Sequence, residues 1–391
     1  AMTIPYGKQA INQDDIDAVV AVLNAKNITQ GPQIGLFEAA FSTYVGAKYA
    51  VAVSSGTAAL HLACLAMGTN ANSTVISTPI SFLASANCVL YCAGNIEFID
   101  VDANILLDLD RLETMLAAAK ENTYQGIIPV QFAGACVDLQ RLRKICDAHG
   151  MWIIEDACHS LGGYFLDADG NQQKSGNGQF ADISVFSFHP VKHITTGEGG
   201  MLTTNNEQLY QKLIALRSHG IKQTAVKSTQ QAGWLYEMHD LGYNYRITDI
   251  QCALGISQLK RAANSLQKRQ QIAEKYDQAF DAMGLKYLPN KAGHAYHLYI
   301  ILSEYRKDLY DYLRSKDIFV QVHYIPIHYQ PYYQKLGWKK GDFADAEKYY
   351  DQCLSLPMYP TLTSAEQDYV IQQIQFFYHQ KTLFNDLVSD R

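Results

Sequence analysis

The sequence predicts an α/β fold: a mostly parallel seven-stranded sheet covered by helices on both faces, followed by a smaller α+β C-terminal domain. Three observations lead there. Seven short apolar or β-branched runs follow one another between residues 50 and 204. The segments between the earlier runs carry apolar residues at helical spacing, the pattern of a parallel sheet with crossover helices. After residue 247 the pattern changes to two long helical stretches and then to a mixture of short strands and helices.

The first strand is AVAVS (50–54), followed by the helical TAALHLACLAM (57–67). TVIST (74–78), IEFIDV (96–101) and GIIPV (126–130) come next, then the helical LQRLRKICDAHG (139–150), closed by Gly150. MWIIED (151–156) and DISVFSF (182–188) complete the parallel set. GMLTT (200–204) follows 182–188 too closely for a helix, so a short glycine-rich loop joins them. Helices over 247–264 and 266–283 bridge into the last section, which holds the short strands HLYIIL and IFVQVHY and helices at 304–315 and 364–378. The expected boundary falls near 250–265, giving a large domain over 1–250, with an amino-terminal arm, and a small one over 251–391.

The 391 residues are 48% hydrophobic and 18% charged, enough apolar chain to exclude disorder and to fill a large core. Lys plus Arg number 32 against 38 Asp plus Glu, and the basic residues form no run. That balance argues against a nucleic-acid surface and for small anionic ligands held by local groups. The eight cysteines are scattered through apolar stretches without a CxxC pair, the usage of reduced, buried thiols. AMTIPYGKQ has no apolar leader core, and no apolar stretch reaches the roughly 18–20 residues of a spanning helix. A cytoplasmic protein without a membrane partner is expected. Tyr outnumbers Phe 26 to 15, much of it between 296 and 359; this suits half-buried packing or a cleft for a sugar or a base.

Four features stand at the carboxyl ends of predicted strands, where open α/β sheets bind ligands. SSGTAAL (54–60) opens a helix with glycine and threonine, offering free N–H groups and a hydroxyl to an anion; an ordinary N-cap would look the same. TPISFLASAN (78–87) places Phe82 where a ring can lie on a cofactor or simply fill the core. WIIEDACHS (152–160) brings Glu155-Asp156 to the sheet edge, and a carboxylate there can keep a ring nitrogen protonated. In SVFSFHPVKHITTGEGG (184–200), Lys192 leaves a strand 36 residues after Asp156, and a lysine in a cleft can form a Schiff base. Together these are the parts that pyridoxal phosphate chemistry requires.

Rival motifs fail on context. His189 and His193 have the spacing of a helical zinc pair, but Pro190 and the preceding strand argue against a helix there. Cys158 and His159 could join them only in an unusual cluster, so no metal is expected. TTGEGG lacks GxGxxG and opens no helix, and no GxxxxGK[ST] loop exists. Cys353 lies in CLSLPM, which reads as a buried strand rather than a nucleophile's loop.

On these residues the chain closely resembles the DegT/DnrJ/EryC1/StrS family of sugar-nucleotide aminotransferases, of fold-type-I pyridoxal phosphate enzymes. The resemblance runs from IPYGKQAINQDDIDAVV through SGTAALHLA, EDACHS and SFHPVKHITTGEGG to LGYNYRITDIQCALG and VHYIPIHYQPYY. Within the family the chain looks most like members that serve pseudaminic acid biosynthesis. The resemblance implies that Lys192 holds the cofactor aldehyde, Asp156 meets the pyridine nitrogen, His159 contacts the ring hydroxyl region and Phe82 stacks on the ring. It implies that Gly56, Thr57, Ala58 and Ser187 cradle the phosphate. Family members are homodimers with shared sites, so Asn244, or else Arg246, is expected to reach the phosphate or substrate from the neighbouring subunit. Tyr6, His323, Tyr324 and His328 resemble residues on the sugar side. Where relatives often carry proline after the lysine, this chain has His193, which leaves the local loop geometry open. The implied reaction moves the amino group of L-glutamate to C4 of a UDP-linked 4-keto-6-deoxy-N-acetyl hexose. Keto sugars of the bacillosamine, legionaminic acid or perosamine type remain open, as does a non-catalytic regulatory homologue.

Overall fold

The computed structural model describes residues 2–222 and 233–389. After a two-residue strand β1 (Ile4–Pro5) come helices α1 (Gln13–Leu23) and α2 (Pro32–Val45), then β2 (Tyr49–Val53) and α3 (Gly56–Ala66). The chain continues through β3 (Thr74–Ser77), α4 (Ala84–Tyr91), β4 (Asn95–Phe98), β5 (Gly126–Ile127) and β6 (Trp152–Asp156). A hairpin, β7 (Tyr164–Leu166) and β8 (Gln172–Lys174), precedes β9 (Ile183–Ser187) and β10 (Gly200–Thr204). The main sheet has seven strands in the order β2-β10-β9-β6-β5-β3-β4. They are the seven runs read from sequence. Only β10 is reversed, pairing antiparallel with both β2 and β9, as its short connection requires.

The strands look uniformly apolar because both faces are covered. Val51 and Val53 of β2, Val185 of β9 and Leu202 of β10 pack under α3 and α4, with Leu60, Cys64 and Val89. Their alternating neighbours Ala50, Ala52, Phe186 and Met201 pack on the opposite face against Phe37 and Phe41 of α2. Two clusters on two faces make a register slip costly, since it would exchange every buried side chain.

Helix starts follow local capping. Ser55 Oγ accepts the Ala58 N–H at 3.0 Å and opens α3 directly after β2. Asn12 and Asp15 form a reciprocal box at the start of α1. Asp15, fully buried, also takes the Arg261 guanidinium at 2.9 Å. Burial pushes its pKa up, but the hydrogen bonds of Arg261, Ser257, Asn12 and Gln258 outweigh that and hold it at about 2.

The two expected helices, 247–264 and 266–283, are both present, but the break between them falls at 260–261 rather than at 265. One spans Asp249–Leu259, capped by Thr248, and the next runs Ala262–Met283. The turn between them is held by Arg261 on Asp15. After the short ribbon β11 (Ile221–Lys222) and β12 (Glu237–Met238), the C-terminal section carries β13 (Lys286–Tyr287), β14 (Tyr299–Leu302), β15 (Ile318–Phe319) and β16 (Cys353–Leu356). β13, β14 and β16 form an antiparallel sheet, and β1 pairs with β15. This part has its own core, with Tyr276, Phe280, Leu309, Ile318 and Val370. IFVQVHY is strand only at Ile318–Phe319; beyond it His323 and Tyr324 line a cavity. The last helix reaches Ser389, longer than its 364–378 periodicity implied. Among the described residues no helix is long and apolar enough to cross a membrane.

Gly126 opens β5 opposite Trp152 of β6. A Cβ there would meet the indole at 2.1–2.4 Å, so the ring or the strand must move. Gly126→Ala is therefore expected to lower unfolding stability by about 1–3 kcal/mol, read as a shifted denaturant midpoint. An unchanged midpoint would show that the indole swings aside without cost.

Candidate active site

Residues from five strand ends and from the C-terminal section meet in a cavity of about 500 Å³. A larger groove of about 650 Å³ lies between α1, α2 and Asp249–Leu259, away from these strand ends.

β6 delivers two adjacent acids to opposite faces. Glu155 is closed off by Ser184 Oγ at 2.6 Å, Gln131 Nε2 at 2.7 Å and the Gly176 N–H at 2.9 Å. Its pKa is raised, chiefly by burial. Asp156 faces the cavity, buried, accepting from Ser85 Oγ at 2.6 Å and from the Cys158 N–H at 3.2 Å. Of the pair, Asp156 is the one that a ligand can reach.

Lys192 lies in the loop between β9 and β10. That loop is pinned by Phe188 N–H on the Gly199 carbonyl at 2.9 Å and by Lys192 N–H on His189 O at 2.9 Å. The Lys192 amine lines the same cavity as Asp156 and has no ion-pair partner within 4.0 Å among the described residues. Enclosure by protein lowers its pKa, against smaller opposing effects of Cys158 and Asp156. Around it stand His159, His193, His297 and His323. Burial is the main cause that lowers the pKa of each, to about 3 for His193 and His323. These rings are neutral near pH 7, so they do not add positive charge beside the amine.

At the start of α3 the backbone is bare. A Cβ on Gly56 would sit 2.8 Å from Ser187 Cβ, so only glycine lets β9 and the helix start approach this closely. The Gly56 and Thr57 N–H groups belong to the first turn and have no intrahelical acceptor. With the hydroxyls of Thr57 and Ser187 they form a donor set suited to a phosphate. Gly200, at the start of β10, keeps the same edge open; its Cβ would meet the Ser55 carbonyl oxygen at 2.4 Å. Phe82 is 57% exposed at the cavity wall, 6.4 Å from the Tyr324 ring centroid, with a face available for stacking. The residues fit a phosphorylated pyridine aldehyde: donors for its phosphate, a carboxylate for a ring nitrogen, an amine for the aldehyde and an aromatic face.

Gly56, Thr57, Phe82, Asp156, His159, Ser187, Lys192, Tyr6, His323 and Tyr324 thus line one cavity. Four expected residues do not. Ala58 is buried and its N–H is taken by Ser55, so it offers nothing to a phosphate. His328 is fully buried at Glu347, 3.2 Å away, and packs on Phe343, because Ile327–Tyr329 coils away from the cavity. Asn244 bridges to Ser218, and Arg246 donates to Ser218 Oγ at 2.8 Å, both outside the cavity of their own chain. Ser85 and His297 are among the lining residues that were not foreseen. Ser85, three positions after Phe82, was hidden in a helical stretch; its spacing from Ser81, to which it bonds at 2.7 Å, was the available signal. His297 sits in a run that reads only as strand.

The eight cysteines are free, and among the described residues no cluster of His, Cys, Asp or Glu is arranged to hold a metal ion. His193 gives its Nε2 to the Ala295 carbonyl at 2.7 Å.

Comparison with known proteins adds independent findings. The model of the DegT/DnrJ/EryC1/StrS aminotransferase family matches residues 9–375. The UDP-4-amino-4,6-dideoxy-N-acetyl-β-L-altrosamine transaminase of Campylobacter jejuni serotype O:2 is 35% identical, covering 94% of this chain and 95% of its own. The spore coat polysaccharide biosynthesis protein SpsC of Bacillus subtilis is equally 35% identical, over 95% of this chain and 96% of its own. Among solved structures, Helicobacter pylori PseC, an aminotransferase involved in pseudaminic acid biosynthesis, superposes with a TM-score of 0.87 at 31% identity, covering 97% and 100% of the two chains. The pyridoxal phosphate form of Spr1654 from Streptococcus pneumoniae, a sugar aminotransferase by its description, gives 0.85 at 28%, covering 95% and 97%.

Proposed function

Because the chain belongs to the DegT/DnrJ/EryC1/StrS aminotransferase family and has its fold-type-I architecture, it is a sugar aminotransferase, and we propose that it moves the amino group of L-glutamate to C4 of a UDP-linked 4-keto-6-deoxy-N-acetyl hexose. Lys192 and Asp156 lining one cavity beside a glycine-bare helix start is the observation that carries this reading. The printed activity of the 35%-identical Campylobacter relative supports the choice of sugar.

Pyridoxal phosphate, when bound, supplies an aldehyde and an electron-accepting ring that eases proton loss from the carbon bearing nitrogen. Lys192 is the residue that would hold the aldehyde. With its Nζ free, Lys192 would take the proton from Cα of glutamate and return one to C4 of the sugar. Asp156 would accept a hydrogen bond from the ring N–H and keep that nitrogen charged. Gly56, Thr57 and Ser187 would hold the phosphate, and Phe82 would offer its face to the ring. Tyr6, His323 and Tyr324 border the remaining space, where the sugar would enter. The overall change is balanced: glutamate leaves as 2-oxoglutarate and the C4 ketone becomes a C4 amine.

A homodimer with shared sites belongs to the same reading. Asn244 is exposed and lies close in sequence to Trp234, 81% exposed, and Leu241, 78% exposed, an apolar surface suited to a second copy. Asn244 or Arg246 would then serve the neighbouring cavity.

Assay with L-glutamate and a series of 4-keto nucleotide sugars, with product stereochemistry at C4, tests the proposal; a clear preference for a GDP sugar would sink the UDP assignment. A different keto sugar is the second reading, favoured by the equal identity to SpsC. Ser85→Ala should leave the fold intact and speed cofactor loss about three- to tenfold, since the Asp156 carboxylate loses a donor. Dialysis followed by absorbance measures this, and wild-type retention would remove Ser85 from the account.

A further inference from the structure

The sugar-side wall contains a hydrogen-bond chain whose direction is fixed at one end. Ala133 N–H donates to His159 Nδ1 at 3.0 Å, and a backbone amide can only donate. The neutral imidazole therefore carries its proton on Nε2. That Nε2 lies 3.2 Å from Tyr324 Oη, so the ring donates and the tyrosine oxygen accepts. Ala133 adopts φ 60°, a left-handed conformation disfavoured for an alanine, in aiming its N–H at the ring. Both nitrogens of His159 thus have a protein partner.

The hydroxyl proton of Tyr324 is left over. Among the described residues it has no acceptor: the neighbouring surfaces are the rings of Phe132 at 6.2 Å, His323 at 4.9 Å and Phe82 at 6.4 Å between centroids. Tyr324 is half-buried on the cavity wall. We infer that Tyr324 is a dedicated hydrogen-bond donor to an oxygen of the bound ligand, and that His159 is the positioning residue that sets its direction. The acceptor is an oxygen of the cofactor ring or of the nucleotide sugar. The inference rests on the cavity holding both.

Tyr324→Phe and His159→Phe holoenzymes provide the test, read by cofactor absorbance without substrate and by calorimetric Kd for UDP-N-acetylglucosamine. If the acceptor is on the cofactor, both variants shift the absorption maximum before any substrate is added. If it is on the sugar, the spectrum stays and Kd weakens about three- to tenfold in both. His159→Gln, which keeps a donor near the Nε2 position, should recover much of either signal. Wild-type spectra and Kd in Tyr324→Phe, or in His159→Phe, overturn the inference. Failure of the cofactor reading itself looks different: the wild-type protein would then show no cofactor absorbance at all.

Discussion

Lys192→Ala protein is expected to fold normally and to lose turnover by about a thousandfold or more, because the only amine that lines the cavity among the described residues is removed. The substitution shortens a half-buried side chain that holds no hydrogen bond or ion pair among the described residues, so its melting temperature should stay close to wild type. The pH dependence of cofactor uptake gives a second readout. Only the neutral amine attacks an aldehyde, and enclosure lowers the Lys192 pKa. Uptake by apoenzyme should therefore rise with pH through a midpoint below that of an ordinary lysine, and fall as pH drops through it. A variant with near-normal turnover, or an uptake midpoint at the ordinary lysine value, would remove Lys192 from the chemistry.

Asp156→Asn carries the second large effect. The side chains are nearly isosteric, and Ser85 and the Cys158 N–H keep an oxygen to donate to, so stability should change little. What disappears is the negative charge. Without it the ring nitrogen is no longer held protonated, and the electron sink weakens just as Cα loses its proton. Turnover is expected to drop about a hundred- to a thousandfold while bound cofactor remains visible by absorbance. Measuring the glutamate half-reaction alone in a stopped-flow instrument isolates the step. Retention of its rate would shift the ring-nitrogen role to another group. The matched control is Glu155→Gln, on the other face of β6, which should alter stability more than chemistry.

Much of this architecture was legible because it is local. The seven strand runs show through their apolar residues, and the turn after each strand through its Gly, Ser or acid. Alternation on β6 decides that Asp156 rather than Glu155 faces the cavity, but the sequence pair alone left both at the sheet edge. Long-range partners stayed hidden: nothing near Asp156 in sequence announces Ser85, 71 positions earlier, and His297 comes from the C-terminal section. His328 misled because its block shares one cavity-facing stretch, 323–324, with a buried coil at 327–329. Ala58 misled because a helix N-cap and a phosphate cradle compete for the same N–H, and Ser55 takes it.

The single reversed strand has a consequence for how this protein can vary. Since β9 and β10 are hydrogen-bonded neighbours, residues 188–199 leave and re-enter the sheet at one edge, like a handle fixed at both ends. Lengthening or trimming that handle would carry the amine to a new spot while leaving the strand pairing on either side undisturbed. Changes of reaction type could therefore arise there without jeopardising folding, whereas comparable edits inside a crossover helix would disturb the packing of a whole sheet face.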